Sequence, residues 1–278
     1  AKHPKVSILI PNKDKISLLS ACVDSIAEKV TYGNYEIVVI ENNSVEPETF
    51  VYYEELQRLG KAKVIEWADS FNFSKIVNFG VRQTDGEYVL LLNNDTEVIS
   101  PDFLETMMGH FQVEGVGVVG AKLLFPDGTV QHGGVVLGPY RSAGHLFASL
   151  SEDDLGYYCR AALSQNLSAV TGACQLIPRS VFEAVGGYTE AFEVGLNDVD
   201  FCLKVRGAGY RIVWTPYAKL FHYEFSSRGR DREGVQAERA EREIALLRTR
   251  WSQYYEMCDP YVGPNVDPDS LYFGLDCR

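Results

Sequence analysis

The chain has 278 residues, 46% of them hydrophobic and 23% charged, which is enough for one large α/β domain with a well-buried core. A formal net charge of −12 disfavours nucleic acid and anionic membrane as partners, although Arg228, Arg230 and Arg232 could form a local basic patch. No apolar run reaches the roughly 20 residues of a membrane helix. The expected location is therefore the cytoplasm, with any membrane contact peripheral. AKHPKV runs straight into a strand, so no signal peptide is expected, and the abrupt start also fits a module of a longer protein. Cys22, Cys159, Cys174, Cys202, Cys258 and Cys277 show neither C-x-x-C nor zinc-finger spacing and read as reduced, mostly buried thiols.

In chain order, Val6 to Ile10 is a short β-branched run ending at Pro11, the pattern of a buried parallel strand. Ile16 to Lys29 has helical apolar spacing. Tyr35 to Ile40 reads as a strand, Pro47 to Leu59 as a helix and Lys63 to Trp67 as a strand. Phe73 to Gln83 is a helix closed by Asp85-Gly86, and Tyr88 to Leu92 a fourth strand. This alternation predicts a doubly wound sheet flanked by helices, with ligands outside the carboxyl ends of the strands. Three strands end in polar clusters: Pro11-Asn12-Lys13-Asp14, Glu41-Asn42-Asn43-Ser44 and Asn93-Asn94-Asp95.

Beyond about residue 100 the rhythm changes. A helix is expected over Asp102 to Phe111, an apolar, glycine-containing run over Val116 to Leu124, and a strand over Gln131 to Leu137. Gly138 to Gln165 is irregular and is expected to be a loop near the acceptor side. Ala169 to Pro178 reads as a strand, Ser180 to Val185 and Asp198 to Arg206 as helices, and Arg211 to Trp214 as the last strand. Arg232 to Tyr255 is a long charged amphipathic helix that could support a homo-oligomer, followed by a Pro/Asp-rich tail.

Four constellations can carry chemistry. Asp95, at the exposed end of a buried strand, can hold a hard divalent cation or simply cap an N-N-D-T turn. Glu41 can accept the N–H of a pyrimidine base or supply turn polarity. Asp198, at the start of a helix, can act as a general base, while capping by Asn197 or Asp198 explains it as well. His222 can be a nitrogen ligand or a structural histidine.

As an ordered set these residues sit in VSILIPNKD (6–14), IVVIENNS (37–44), NFGVRQTDGEYVLLLNNDTEV (78–98), VTGACQLIPRSVFEAVGGYTE (170–190), LNDVDFCLKVRGAGYRI (196–212) and FHYEFSSRG (221–229). In these segments the chain resembles the inverting glycosyltransferase family 2, and within it the bacterial rhamnosyl- and galactosyl-type transferases of polysaccharide and glycoprotein assembly.

The resemblance implies a GT-A fold: a single Rossmann-like mixed sheet over residues 1–230, with a nucleotide-binding half up to about residue 100. The acceptor-binding half follows, and 231–278 form a C-terminal helical extension. It implies an Mn²⁺ or Mg²⁺ cofactor, a UDP- or dTDP-sugar donor, and a glycan, glycolipid or glycoprotein acceptor. Residue by residue, it places Pro11, Asn12, Asp14, Glu41, Asn43, Asn78, Asn93 and Asn94 at the donor nucleotide. Asp95 and His222 fall at the metal, and Asp198 at the position of the base. His132, Gly172, Asn197 and Trp214 are expected at the acceptor or sugar pocket, with Tyr188 and Phe192 as further candidates for stacking on sugar.

Two positions depart from the family pattern. Asn93 stands where the first acid of D-x-D is expected, which removes one carboxylate from the metal site. Asn197 stands where a Glu is frequent.

Other classes fit less well. An inactive nucleotide-sugar- or glycan-binding module of a tandem transferase is compatible with the lost acid, but not with retention of Asp95, Asp198 and His222. A nucleotidyltransferase would need a glycine-rich basic loop where PNKDK stands. An interaction role for the long helix would be additional to catalysis.

Overall fold

The computed structural model describes residues 3–223, 234–267 and 269–274; the expected Arg228, Arg230 and Arg232 patch lies outside them. The first half follows the expected alternation: β1 (Val6–Asn12), α1 (Ile16–Lys29), β2 (Tyr35–Glu41), α2 (Pro47–Arg58), β3 (Lys63–Glu66), α3 (Phe73–Arg82) and β4 (Tyr88–Leu92). Then come β5 (Thr96–Val98), α4 (Phe103–Gly109), β6 (Val116–Leu124), β7 (Val130–His132), β8 (Val135–Leu137), β9 (Ala143–His145) and β10 (Gln165–Leu167). The last elements are β11 (Cys174–Pro178), α5 (Arg179–Ala184), α6 (Asn197–Gly207), β12 (Arg211–His222), α7 (Gly234–Arg250) and α8 (Ser252–Glu256).

One mixed sheet runs β10-β12-β6-β11-β4-β1-β2-β3, with β5 on β12 and β7 on β6. The strands β1 to β4 are mutually parallel, and β11 runs antiparallel to both β4 and β6. The period-2 alternation of β1 decides which side chains go where. Leu9 joins the layer under α3, α5 and α6, with Ile76, Phe182 and Phe201. Ile8 and Ile10 join the layer under α1, α2 and α4, with Leu19, Leu56 and Phe103.

Three expectations need correction. The strand at Gln131 to Leu137 is two short strands, because Gly134 at φ 94° breaks the run. The last strand does not stop at Trp214: β12 continues to His222 through a register shift between Thr215 and Lys219, where Pro216 interrupts the ladder. The long C-terminal helix is broken at Trp251 and packs on its own domain, with Leu247 and Phe273 in the main core. Among the described cysteines, Cys22, Cys174 and Cys202 are buried, whereas Cys159 and Cys258 are exposed. Among the described residues no helix is long and apolar enough to cross a membrane.

Candidate active site

The carboxyl ends of β1, β2 and β4 open onto a cleft of about 1170 Å³. That exceeds the roughly 300–1,000 Å³ of an ordinary small-molecule site, which leaves room for a donor and an acceptor together.

One wall is the β1–α1 loop, with Pro11, Asn12, Lys13, Asp14 and Lys15. Asn12 is almost fully buried. Its amide donates to the Tyr53 hydroxyl (2.7 Å), and its carbonyl accepts from Asn94 Nδ2 (2.6 Å). The Tyr53 hydroxyl in turn donates to Glu41 Oε2 (2.6 Å), so the ends of β1, β2 and β4 are tied by one polar chain. Burial, and then the Glu41 contact, push the Tyr53 hydroxyl up, so it remains a donor.

Asp14 adopts φ 52° and accepts from the backbone N–H of Val45 (2.9 Å) and Glu46 (3.0 Å), just ahead of α2. Burial works to raise its carboxyl, and the amides of Glu46 and Val45 outweigh that and hold it below the usual carboxylate range. Asp14 therefore anchors the N-terminus of α2 while also lining the cleft.

The cleft also holds Asp95 and His222. The pairing of β12 with β5 sets His222 opposite Thr96, one residue beyond Asp95. His222 Nε2 then lies 3.1 Å from Asp95 Oδ1, with both side chains nearly buried. His222 Nδ1 is 2.7 Å from Gln131 Oε1, an acceptor, so Nδ1 carries the proton and Nε2 presents its lone pair beside the carboxylate.

A lone pair and a carboxylate oxygen converging at this distance suit a divalent cation, with Gln131 fixing the ring behind them. Asn93 Nδ2 lies 3.2 Å from His222 Nε2, so this position offers an amide where a second acid would coordinate. Among the described residues no group of three or more His, Cys, Asp or Glu side chains is gathered for a metal. Asp95 and His222 are the two side chains here that could hold a cation, and its remaining donors would be water or a bound substrate.

The third component is Asp198, half-buried at the first turn of α6. Its Oδ2 accepts from Gly172 N (2.8 Å) and its Oδ1 from Val199 N (2.8 Å). Gly172 precedes Ala173, whose carbonyl accepts from Asn93 N (3.0 Å). That backbone link connects Asp198 to the Asn93-Asn94-Asp95 turn. Asn197 lines the cleft beside Asp198 and bonds Val194 O through its amide (3.0 Å).

The structure brings Pro11, Asn12, Asp14, Asn93, Asn94, Asp95, Gly172, Asn197, Asp198 and His222 to one cleft. Seven expected residues are elsewhere. Glu41 turns its carboxylate into the protein, where Ser44 N, Ser44 Oγ and Tyr53 occupy it. Asn43 points to the Asp69 carbonyl (2.9 Å), and the neighbouring Asn42 lines the cleft instead. Asn78 clamps both the N–H and the carbonyl of Tyr188.

His132 is fully buried behind the wall, with Nε2 accepting from Thr171 N (3.3 Å). Burial, with His145 and His222 nearby, pushes it well below its ordinary value, so the ring is neutral. Trp214 is fully buried against Phe147, and Tyr188 and Phe192 are core residues too, so none of the three can stack on a sugar. Sequence reasoning did not single out the cleft residues Phe71, Phe73, His145 and Thr171. Lys13 and Lys15 were visible in PNKDK as exposed cations beside the cluster.

Residues 7–186 match the family model described as glycosyl transferase family 2. The chain belongs to glycosyltransferase family 2. It is 44% identical over 265 residues to uncharacterized protein y4gI of Sinorhizobium fredii, covering 95% of this chain and 29% of that protein. It is 38% identical over 268 residues to the O-antigen biosynthesis protein RfbC of Myxococcus xanthus, covering 95% of this chain and 20% of that protein. The glycosyltransferase chain thus spans less than a third of the length of these relatives.

Two solved structures share its GT-A fold. GalNAc-T7 with UDP, GalNAc and Mn²⁺ aligns at TM-score 0.72 and 15% identity, covering 91% of this chain and 50% of that one. The mannosyltransferase PcManGT of Pyrobaculum calidifontis with GDP-Man and Mn²⁺ aligns at TM-score 0.59 and 17% identity, covering 92% and 72%.

Proposed function

We propose that this glycosyltransferase moves a hexose or deoxyhexose from a UDP- or dTDP-sugar to a hydroxyl of a glycan, glycolipid or glycoprotein acceptor, with inversion. The observation that carries the reading is a single cleft holding Asp198 and the Asp95–His222 pair, joined through Gly172, Ala173 and Asn93.

Asp198 takes the proton of the acceptor hydroxyl. That oxygen bonds to the anomeric carbon from the face opposite the diphosphate. The anomeric C–O bond breaks, and its electron pair leaves on the diphosphate. Gly172 N–H and Val199 N–H hold the Asp198 carboxylate in position for this attack. Asp95 and His222 would hold Mn²⁺ or Mg²⁺, which offsets charge on the leaving diphosphate. Lys13 and Lys15 add positive charge along the nucleotide wall.

The Mn²⁺ in both fold relatives, and the UDP in one, support the metal and the diphosphate reading. The pyrimidine preference rests on the family resemblance at Glu41, which acts through the loop it shapes because Ser44 and Tyr53 engage its carboxylate. The name of RfbC supports a polysaccharide acceptor. The short coverage of the longer relatives supports a module working within a larger protein.

The deciding experiment is a donor screen with UDP-, dTDP- and GDP-sugars that reads released nucleotide, with and without simple glycoside acceptors. Acceptor-dependent release from a UDP- or dTDP-sugar is expected. Tight nucleotide binding with no turnover on any donor would favour the inactive-module reading instead.

A further inference from the structure

The loop that delivers Asp198 is held in part from outside the donor and acceptor halves, by the C-terminal extension. Val194, Gly195 and Leu196 line the cleft immediately before Asn197 and Asp198. Leu196 sits at φ 58°, a left-handed conformation that a leucine adopts only when its surroundings enforce it.

On one side, α3 grips the start of this loop: Phe73 N donates to Glu193 O (2.7 Å) and Ser74 Oγ to Phe192 O. On the other side stands Glu243 of α7, 4% exposed. Its Oε1 accepts from Val194 N (2.9 Å) and its Oε2 from Gly195 N (3.0 Å). A buried carboxylate is costly unless such donors meet it, so the fit is specific. Gly195 permits the approach, since a Cβ there would lie 3.2 Å from Glu243 Oε2. Further along the extension, Trp251 Nε1 (2.9 Å) and Arg250 Nε (3.3 Å) bond Asp200 Oδ1, two residues beyond Asp198.

We propose that Glu243 is a positioning residue for glycosyl transfer: from the C-terminal helix it fixes the 194–196 loop, and through it the placement of Asp198. The extension is then a working part of the transferase. This rests on the reading of Asp198 as the base.

The test is Glu243→Gln in the full chain. The amide keeps the shape and one acceptor, and turns a donor toward the second N–H. Amide exchange in the peptide spanning 193–199 is expected to rise about tenfold or more, with the 88–95 strand unchanged. Affinity for UDP and dTDP with Mn²⁺ should stay within about twofold, while the turnover rate on the screened donor falls at least about tenfold, as for other small misplacements of a reacting group.

Unchanged exchange at 193–199 overturns the clamp. Raised exchange with a turnover rate within about twofold of the parent overturns the positioning role, as does a parallel loss of nucleotide affinity. If the amide variant fails to fold, Glu243→Asp, which keeps the charge and retracts it by one methylene, must show the same ordering. The exchange readout does not depend on Asp198 being the base, so it survives even if Asp198→Asn shows that the base lies elsewhere.

Discussion

As the proposed base, Asp198 needs only a fixed carboxylate, and two backbone amides at 2.8 Å supply that. Asp198→Asn keeps the shape and removes the proposed base. Transfer should fall by about 10²–10⁴-fold while calorimetric affinity for the donor nucleotide is nearly unchanged; survival of more than a few per cent of transfer places the base elsewhere. The metal pair gives two further expectations. Gln131→Leu frees the His222 ring and should weaken Mn²⁺ binding by about 10–100-fold, read by titration in the presence of UDP. Asn93→Asp restores a second carboxylate beside His222 and should tighten Mn²⁺ by about tenfold, since each added anionic ligand favours a hard cation; no gain would show that this position does not face the ion. That Asp95, Asp198 and His222 face one cleft was legible, because each stands at an element end inside a recognisable motif. Glu41, Asn43 and Asn78 turn away from it, because a polar residue at a strand end or on a helix can bond inward as readily as outward, and sequence carries no sign of which.

At the scale of elements, the first half of the fold was legible nearly residue by residue. Continuous β-branched runs alternating with helical spacing leave few alternatives, and α1 begins and ends where its apolar period does. The second half was less legible, because several of its strands are short, its pairing mixes parallel and antiparallel neighbours, and its partners are distant in sequence. β12 shows the reason. Pro216 reads as a stop, yet tertiary pairing with β6 and β5 carries the strand past it to His222. Asp14 likewise acts on a separate element, bonding the backbone ahead of α2. Asp14→Ala removes the acceptor and should cost about 1–2 kcal/mol in denaturant unfolding, the usual worth of a lost helix-terminal acceptor. A larger loss of nucleotide affinity than of stability would mean that the carboxylate touches the donor directly.

For the whole molecule, acid stability follows from carboxylates held low. Burial works to raise Glu36, and hydrogen bonds from Lys63, Lys5 and Ser7 outweigh it and hold the carboxyl at about 2, against an ordinary 4.5. A folded value below the unfolded one means that this stabilisation is complete above about pH 5 and is lost as pH falls through the folded value. The thermal midpoint should therefore drop between about pH 5 and pH 2, and Glu36→Gln should flatten that slope; an identical slope in the variant would remove Glu36 from the account. The sequence by itself determined the alternating architecture, the three polar strand ends and the family, because these are written in local periodicity and ordered motifs. Only the tertiary structure decided that Gln131 fixes His222, that Trp214 and His132 lie behind the cleft, and that α7 reaches the loop of Asp198. Each of those depends on contacts between residues far apart in the chain, and such contacts are set by how the layers pack.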